Sequence, residues 1–332
     1  MNFSITKEQI IHGLQSVQNV VSTRTTLPIL SNVFLRAEES KLFLTATHLE
    51  VTISYSLEPS VKKPGATTLP AKKLFSIVRE LAAQELELAV DEKNACKIEA
   101  GASYFKIHGL AAEEFPPIPA FKEDKKVSLP QQKLKSMLKK TSFAISTDES
   151  RYVLNGIFIS LKDSKMTMVA TDGRRLALVD EEMDVPESSY GEFIVPTKAV
   201  NELSRLLSDQ GTVEVKFTEN QVAFVLTNDA GGSIVIISKL VEGNYPNYRQ
   251  VIPGECKERV PLVRDEFLHA LKRAEIMTSD KANSVKLHFS QNNMAITANS
   301  PEVGEARESL AINYKGPEFA IAFNPTYVIE PL

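Results

Sequence analysis

The sequence predicts an α+β protein made of three copies of one unit, each with helices packed on one face of antiparallel sheet. Three recurring features carry that prediction: an amphipathic helix, a hairpin of two alternating stretches, and a strand that runs into proline and a second helix. They return with a period of about 124–133 residues, and self-similarity at a fixed spacing says more about architecture than any single motif.

The amphipathic helix opens each copy. Residues 6–17 place Ile10, Leu14 and Val17 at i, i+4 and i+7, which is one stripe of a helix. Phe267, Leu271 and Ala274 repeat that spacing, while the middle copy has Leu134 and Leu138 with Thr141 in the last place. The hairpin follows as VFLRAEESKLFLTAT (33–47), IFISLKDSKMTMVAT (157–171) and VKLHFSQNNMAITAN (285–299). Alternation on either side of a short polar stretch is the mark of two half-buried strands, and Lys41, Lys165 and Asn293 are expected in the shared turn. Each hairpin continues into another extended segment, VTISYSLEP, RRLALVDEE or EARESLAIN, so a meander is expected.

The third feature reads TLPAKKLFSIVREL (68–81), IVPTKAVNELSRLL (194–207) and FNPTYVIEPL (323–332). Proline suits the first turn of a helix because its missing N–H would find no helical partner there, so Pro70, Pro196 and Pro325 are expected just inside equivalent helix starts. A closing segment occurs twice, as GLAAEEFPPIP (109–119) and KLVEGNYPNYRQVIP (239–253), with Pro116 matching Pro246. Pro70 to Pro116 is 46 residues and Pro196 to Pro246 is 50, which would place a third closing segment beyond Leu332. The third unit is therefore expected to be truncated inside its second helix, lacking roughly 40 residues of strands, and the units are expected at 1–121, 127–253 and 258–332.

Composition bounds the function. A chain of 332 residues is too long for one core, and 43% hydrophobic with 24% charged residues describes a chain that folds throughout. It has no apolar run of about 18 residues and no basic-then-apolar start, so a cytoplasmic location is expected. Cys96 and Cys256 belong to no CxxC pair and suggest a reduced compartment. A formal net charge of −4 argues against holding nucleic acid through a broad basic surface.

Catalytic patterns are missing from the sequence. His12, His48, His108, His269 and His288 are scattered, with no HExxH or paired Cys/His spacing, so neither metal nor cofactor is expected. There is no GxxxxGK[ST] loop, GxSxG elbow or GxGxxG after a strand. Asp172 beside Arg174 and Arg175 reads as an ion pair at an Asp-Gly turn rather than as a catalytic carboxylate. A non-catalytic protein is the expectation, with a hydrolase using Asp172 as the weaker alternative.

Several segments in order carry a resemblance: Arg24-Thr25-Thr26-Leu27-Pro28-Ile29-Leu30, Pro64-Gly65-Ala66-Thr67-Thr68, Arg151-Tyr152-Val153-Leu154-Asn155-Gly156 and Ala170-Thr171-Asp172-Gly173-Arg174-Arg175-Leu176-Ala177. Ser238-Lys239-Leu240-Val241-Glu242-Gly243 and Tyr245-Pro246-Asn247-Tyr248-Arg249 complete it. Together they resemble the bacterial sliding clamps, the beta subunits of DNA polymerase III, across essentially the whole chain. The resemblance implies clamp-type domains, with antiparallel sheets outside and helices lining a central hole. It also implies a head-to-tail homodimer, closed into a ring around duplex DNA, that tethers the polymerase III catalytic subunit and the clamp loader through linear peptide motifs.

For DNA the resemblance and the basic charge sorted onto helices together point to Arg24, Lys72, Lys73 and Arg79, to Lys133, Lys135 and Lys139, and to Tyr152, Lys198 and Arg205. It implies a peptide pocket between the second and third domains, walled by Leu154, Thr171, Gly173, Arg174, Arg175 and Leu176 on one side and by Pro246, Gln250 and Val251 on the other. Arg174 stands where the family often has histidine. For the subunit contact it implies Lys73, Phe105 and Ile107 in the first domain facing Ile276, Met277, Glu302 and Glu305 in the third. A scaffold of repeated α+β units that binds proteins without DNA is the alternative reading.

Overall fold

The computed structural model describes residues 1–21, 27–119, 121, 125–227, 232–256, 258–279, 281 and 283–332. The first repeat runs β1 (Asn2–Thr6), α1 (Lys7–Val17), β2 (Asn32–Glu38), β3 (Lys41–Thr47), β4 (Val51–Leu57), β5 (Ser60–Lys63) and β6 (Gly65–Pro70). It continues with α2 (Ala71–Glu80), β7 (Glu85–Val90), β8 (Ala95–Ala100) and β9 (Ser103–His108). The second has β10 (Lys125–Pro130), α3 (Gln131–Thr141), β11 (Gly156–Lys162), β12 (Lys165–Thr171), β13 (Leu176–Glu182) and β14 (Gly191–Pro196). Helix α4 (Thr197–Leu206), β15 (Thr212–Phe217), β16 (Gln221–Thr227) and β17 (Ser233–Lys239) complete it. The third comprises α5 (Arg264–Glu275), β18 (Val285–Ser290), β19 (Asn293–Ser300), β20 (Gly304–Ala311), β21 (Phe319–Phe323) and α6 (Pro325–Ile329).

Helix α1 starts where Thr6 and Gln9 form a capping box, each satisfying an orphan backbone N–H of the other. Its stripe is fully buried at Ile10, Leu14 and Val17, as are Leu134 and Leu138 of α3 and Leu271 and Ala274 of α5. Each of these isoleucine, leucine and valine side chains contributes about 1.5–3 kcal/mol through lost water contact. Thr141, in the polar place of the stripe, is buried too, and its hydroxyl donates to Met137 O at 2.9 Å.

The three hairpins form as expected, but the turn lies one residue earlier. Lys41, Lys165 and Asn293 are the first residues of their second strands, paired with Glu38, Lys162 and Ser290. The two residues between carry the bend, with left-handed φ at Glu39, Asp163, Ser164 and Asn292, which matches the twist of the flanking strands. The prolines shift as well. Pro70 and Pro196 are the last residues of β6 and β14 and stand one place before their helices, while Pro325 is the first residue of α6. A residue without N–H ends a ladder as readily as it opens a helix, and Pro130 does the same at the end of β10.

Residues Met1–Tyr245 form one compact unit and Pro246–Leu332 a second. In the first unit an eight-stranded sheet, ordered β10-β15-β16-β17-β4-β3-β2-β6, runs through both repeats. The join is the antiparallel pair β17 and β4, in register from Ser233 opposite Ser56 to Ser238 opposite Val51. Two more sheets, β5-β1-β7-β8-β9 and β13-β12-β11-β14, belong to that unit, and the second unit holds β20-β19-β18-β21.

Candidate functional site

The helix-borne cations divide by their neighbours. Lys72 and Lys73 on α2 and Lys139 and Lys140 in the last turn of α3 are exposed and form no ion pair among the described residues. Lys133 Nζ lies 2.5 Å from Glu181 and Lys135 Nζ 2.7 Å from Asp209. Arg79 pairs with Glu80 at 2.9 Å and leans over the ring of Phe75. Lys198 Nζ reaches His48 Nδ1 at 3.4 Å and Glu50 at 3.5 Å.

Arg205 has a different task. Its guanidinium pairs with Glu202 at 2.6 Å and donates to Gln15 O at 3.1 Å and Ser16 O at 2.7 Å, which satisfies carbonyls that the end of α1 leaves open. It thus ties α4 of the second repeat to α1 of the first. Tyr152 is exposed at 59%, at the edge of a segment kinked at Arg151. Arg24 lies outside the described residues.

The turn from Thr171 to Arg175 is held from within. Thr171 Oγ1 donates to Arg175 O at 2.7 Å and accepts from Gly173 N at 3.1 Å. Asp172 accepts from the backbone N–H groups of Arg174 and Arg175 at 2.9 and 3.0 Å and from Arg175 Nε at 3.1 Å. Burial pulls the Asp172 carboxyl upward, but those N–H groups and the guanidinium outweigh it and hold it below the usual carboxylate range. A carboxylate saturated in this way is a structural acceptor, not a free base. Gly173 has φ +84°, and a Cβ there would stand 2.6 Å from Arg151 Nη1, so glycine lets the segment carrying Arg151 and buried Leu154 close on the turn. Leu176 begins β13 directly beyond.

Pro246, Gln250 and Val251 lie in the second unit, around a short 3-10 turn at Tyr248–Val251, and Val251 is exposed at 69%. A single apolar side chain left that open contributes nothing to its own core.

Strand β9 in the first repeat and β20 in the third are among the edge strands of the described sheets. On β9, Tyr104 and Phe105 are exposed, whereas Ile107 is taken up by the core. Ile276 caps the end of α5 and is exposed at 71%, Met277 is half-buried against Gly304, and Glu302 pairs with Lys281 at 3.1 Å. Glu305 is exposed on β20.

Family signatures match all three repeats: the DNA polymerase III beta subunit N-terminal domain at residues 1–119, its central domain at 128–247 and its C-terminal domain at 249–332. The chain belongs to the DNA polymerase III beta subunit family. Beta sliding clamps of Chlamydia pneumoniae and Salmonella typhimurium are 34% and 35% identical to it, over 100% of this chain and 89% and 90% of theirs. The beta subunit crystal structure from Pseudomonas aeruginosa superposes with a TM-score of 0.93 at 33% identity, covering 100% of this chain and 89% of that one. That from Bartonella birtlesii, bound to griselimycin, also gives 0.93, at 36% identity, 99% of this chain and 89% of that one.

Sliding clamps are non-catalytic, which agrees with the saturated Asp172. No group of three or more His, Cys, Asp or Glu able to hold a metal occurs among the described residues, and no described helix is long and apolar enough to cross a membrane. The sequence reading missed a feature repeated in the first two repeats. Phe115 stacks on Phe34 with centroids 5.2 Å apart, and Tyr245 stacks on Phe158 at 5.0 Å. The signal was present, because Phe34 and Phe158 share one hairpin position while Phe115 and Tyr245 each precede the matched prolines Pro116 and Pro246.

Proposed function

We propose that the chain is a DNA sliding clamp and processivity factor, which encircles duplex DNA without sequence preference and tethers the replicative polymerase through peptide motifs. The observation that carries most of this reading is the β17–β4 junction. Strand β9 ends the first repeat as β17 ends the second, and β20 follows the third hairpin as β4 follows the first. Two copies laid head to tail would bring β9 to β20 and make the same junction between chains, with Phe105 and Lys73 meeting Ile276, Met277, Glu302 and Glu305. A head-to-tail contact whose rotation closes gives a ring.

Inside such a ring, lysines over a uniform phosphate cylinder favour no register over the next, and that indifference is what sliding requires. Retention is topological, so a net charge of −4 is no obstacle. The Thr171–Arg175 turn with Leu154 and Leu176 supplies apolar anchors and backbone access for an extended peptide. Its expected carriers are the polymerase III catalytic subunit and the clamp loader, and its place of work is the cytoplasm. Repeat boundaries at 1–121, 127–253 and 258–332 fit this arrangement.

The test is retention on DNA after loader treatment. The protein is expected to remain on a nicked circle and to run off once the circle is cut. Equal loss from both forms overturns the reading in favour of a scaffold that does not enclose DNA.

A further inference from the structure

On α3 the four lysines are not equivalent. Glu181 rises from β13, the strand beneath the helix, to meet Lys133 at 2.5 Å, and Asp209 comes from the turn after α4 to meet Lys135 at 2.7 Å. Both carboxylates are remote in sequence, 48 and 74 residues away, so their arrival on the same half of one helix is a product of the fold. Lys139 and Lys140, one to two turns further on, meet no carboxylate among the described residues, and neither do Lys72 and Lys73 on α2.

We infer that Glu181 and Asp209 are built-in counterions that neutralise the first half of α3, so that the DNA backbone is gripped by Lys139 and Lys140, with Lys72 and Lys73. This rests on the clamp reading above. A lysine already paired with a carboxylate carries little condensed anion to exchange, and its carboxylate repels an approaching phosphate about as strongly as the ammonium attracts it. An unpaired lysine displaces a counterion from DNA and supplies the salt-dependent attraction. Cations in the last turn also complement the negative end of the helix, which keeps Lys139 and Lys140 compatible with α3 while they face outward. The grip is thereby limited to a subset of the basic residues, and a weak, spread grip is what lets the protein move along its track.

The experiment measures binding of the full chain to a short duplex by fluorescence anisotropy between low and moderate salt. Each phosphate contact contributes a slope of about 0.9 in log affinity against log salt. The Glu181→Gln/Asp209→Asn variant is expected to steepen the slope by up to about 1.8 per protomer, and Lys139→Ala/Lys140→Ala to flatten it by about as much. Lys133→Ala/Lys135→Ala is expected to flatten it by less than half that amount. Equal flattening by the two lysine pairs, or an unchanged slope after the carboxylates are neutralised, overturns the assignment. Retention of the unsubstituted protein on nicked circles is measured alongside. If that retention fails, the clamp reading itself has failed, whereas retention with equal slopes sinks only the counterion roles.

Discussion

Ser56 and Ser233 face each other across the strand pair that joins the first repeat to the second, with their Oγ atoms 2.9 Å apart. The contact marks a place where two repeats share one sheet. Val235 sits near the middle of that pair, opposite Ser54 on one side and Val225 on the other. Val235→Pro removes a donor from an interior strand and is expected to cost about 3 kcal/mol or more. Chemical denaturation should show the loss across the whole Met1–Tyr245 unit as one transition. Separate transitions for the two repeats would contradict a shared sheet.

The turns after β3 and β12 are built alike, with Leu49 N bonded to Thr47 Oγ1 at 3.2 Å as Gly173 N is to Thr171 Oγ1 at 3.1 Å. Leu49 holds φ +67° in the place that Gly173 holds at +84°. Gly173→Ala is expected to destabilise by about 1–2 kcal/mol and to displace Arg151, while Leu49→Gly relieves one strain, adds backbone freedom, and changes stability by less than about 1 kcal/mol. Unfolding midpoints of the two variants decide it.

Asp172 gives a pH dependence whose sign is fixed. Its carboxyl is held below the usual range in the folded chain, so its contribution is present above the unfolded value of about 3.9 and is lost as pH falls through the folded value. Asp172→Asn should therefore lower stability at pH 7 by about 1–3 kcal/mol, a gap that closes in acid. Melting both proteins across that range tests the sign, and a gap that widens on acidification refutes it.

Phe105 and Ile107 allow assembly and folding to be tested apart. Phe105→Arg should leave the unfolding midpoint nearly unchanged and give a smaller species on sizing, since Phe105 is 39% exposed on an open edge. Ile107→Ala should cost about 2–4 kcal/mol through a core cavity. The reverse pattern would place the subunit contact elsewhere.

What could be read in advance followed local periodicity. The helix stripes and the hairpins were legible because Ile10, Leu14 and Val17, and the alternation through 33–47, report burial directly from spacing. Pro70 and Pro196 were misplaced by one residue because a missing N–H suits the end of a strand as well as the start of a helix. The Thr171–Arg175 turn was legible only as a motif, and the reason for Gly173 was not, since Arg151 approaches it through the fold. Least legible were the charges. Lys133 and Lys140, seven residues apart, share one face of the helical wheel, and only Glu181, arriving from β13, tells them apart.

Six residue pairs tie β17 to β4, and parting the first two repeats would mean shearing all of them at once. Such a seam behaves as a weld rather than a hinge. In a ring built from this chain, any opening that admits a double helix is therefore expected to spare this seam and to fall at another boundary.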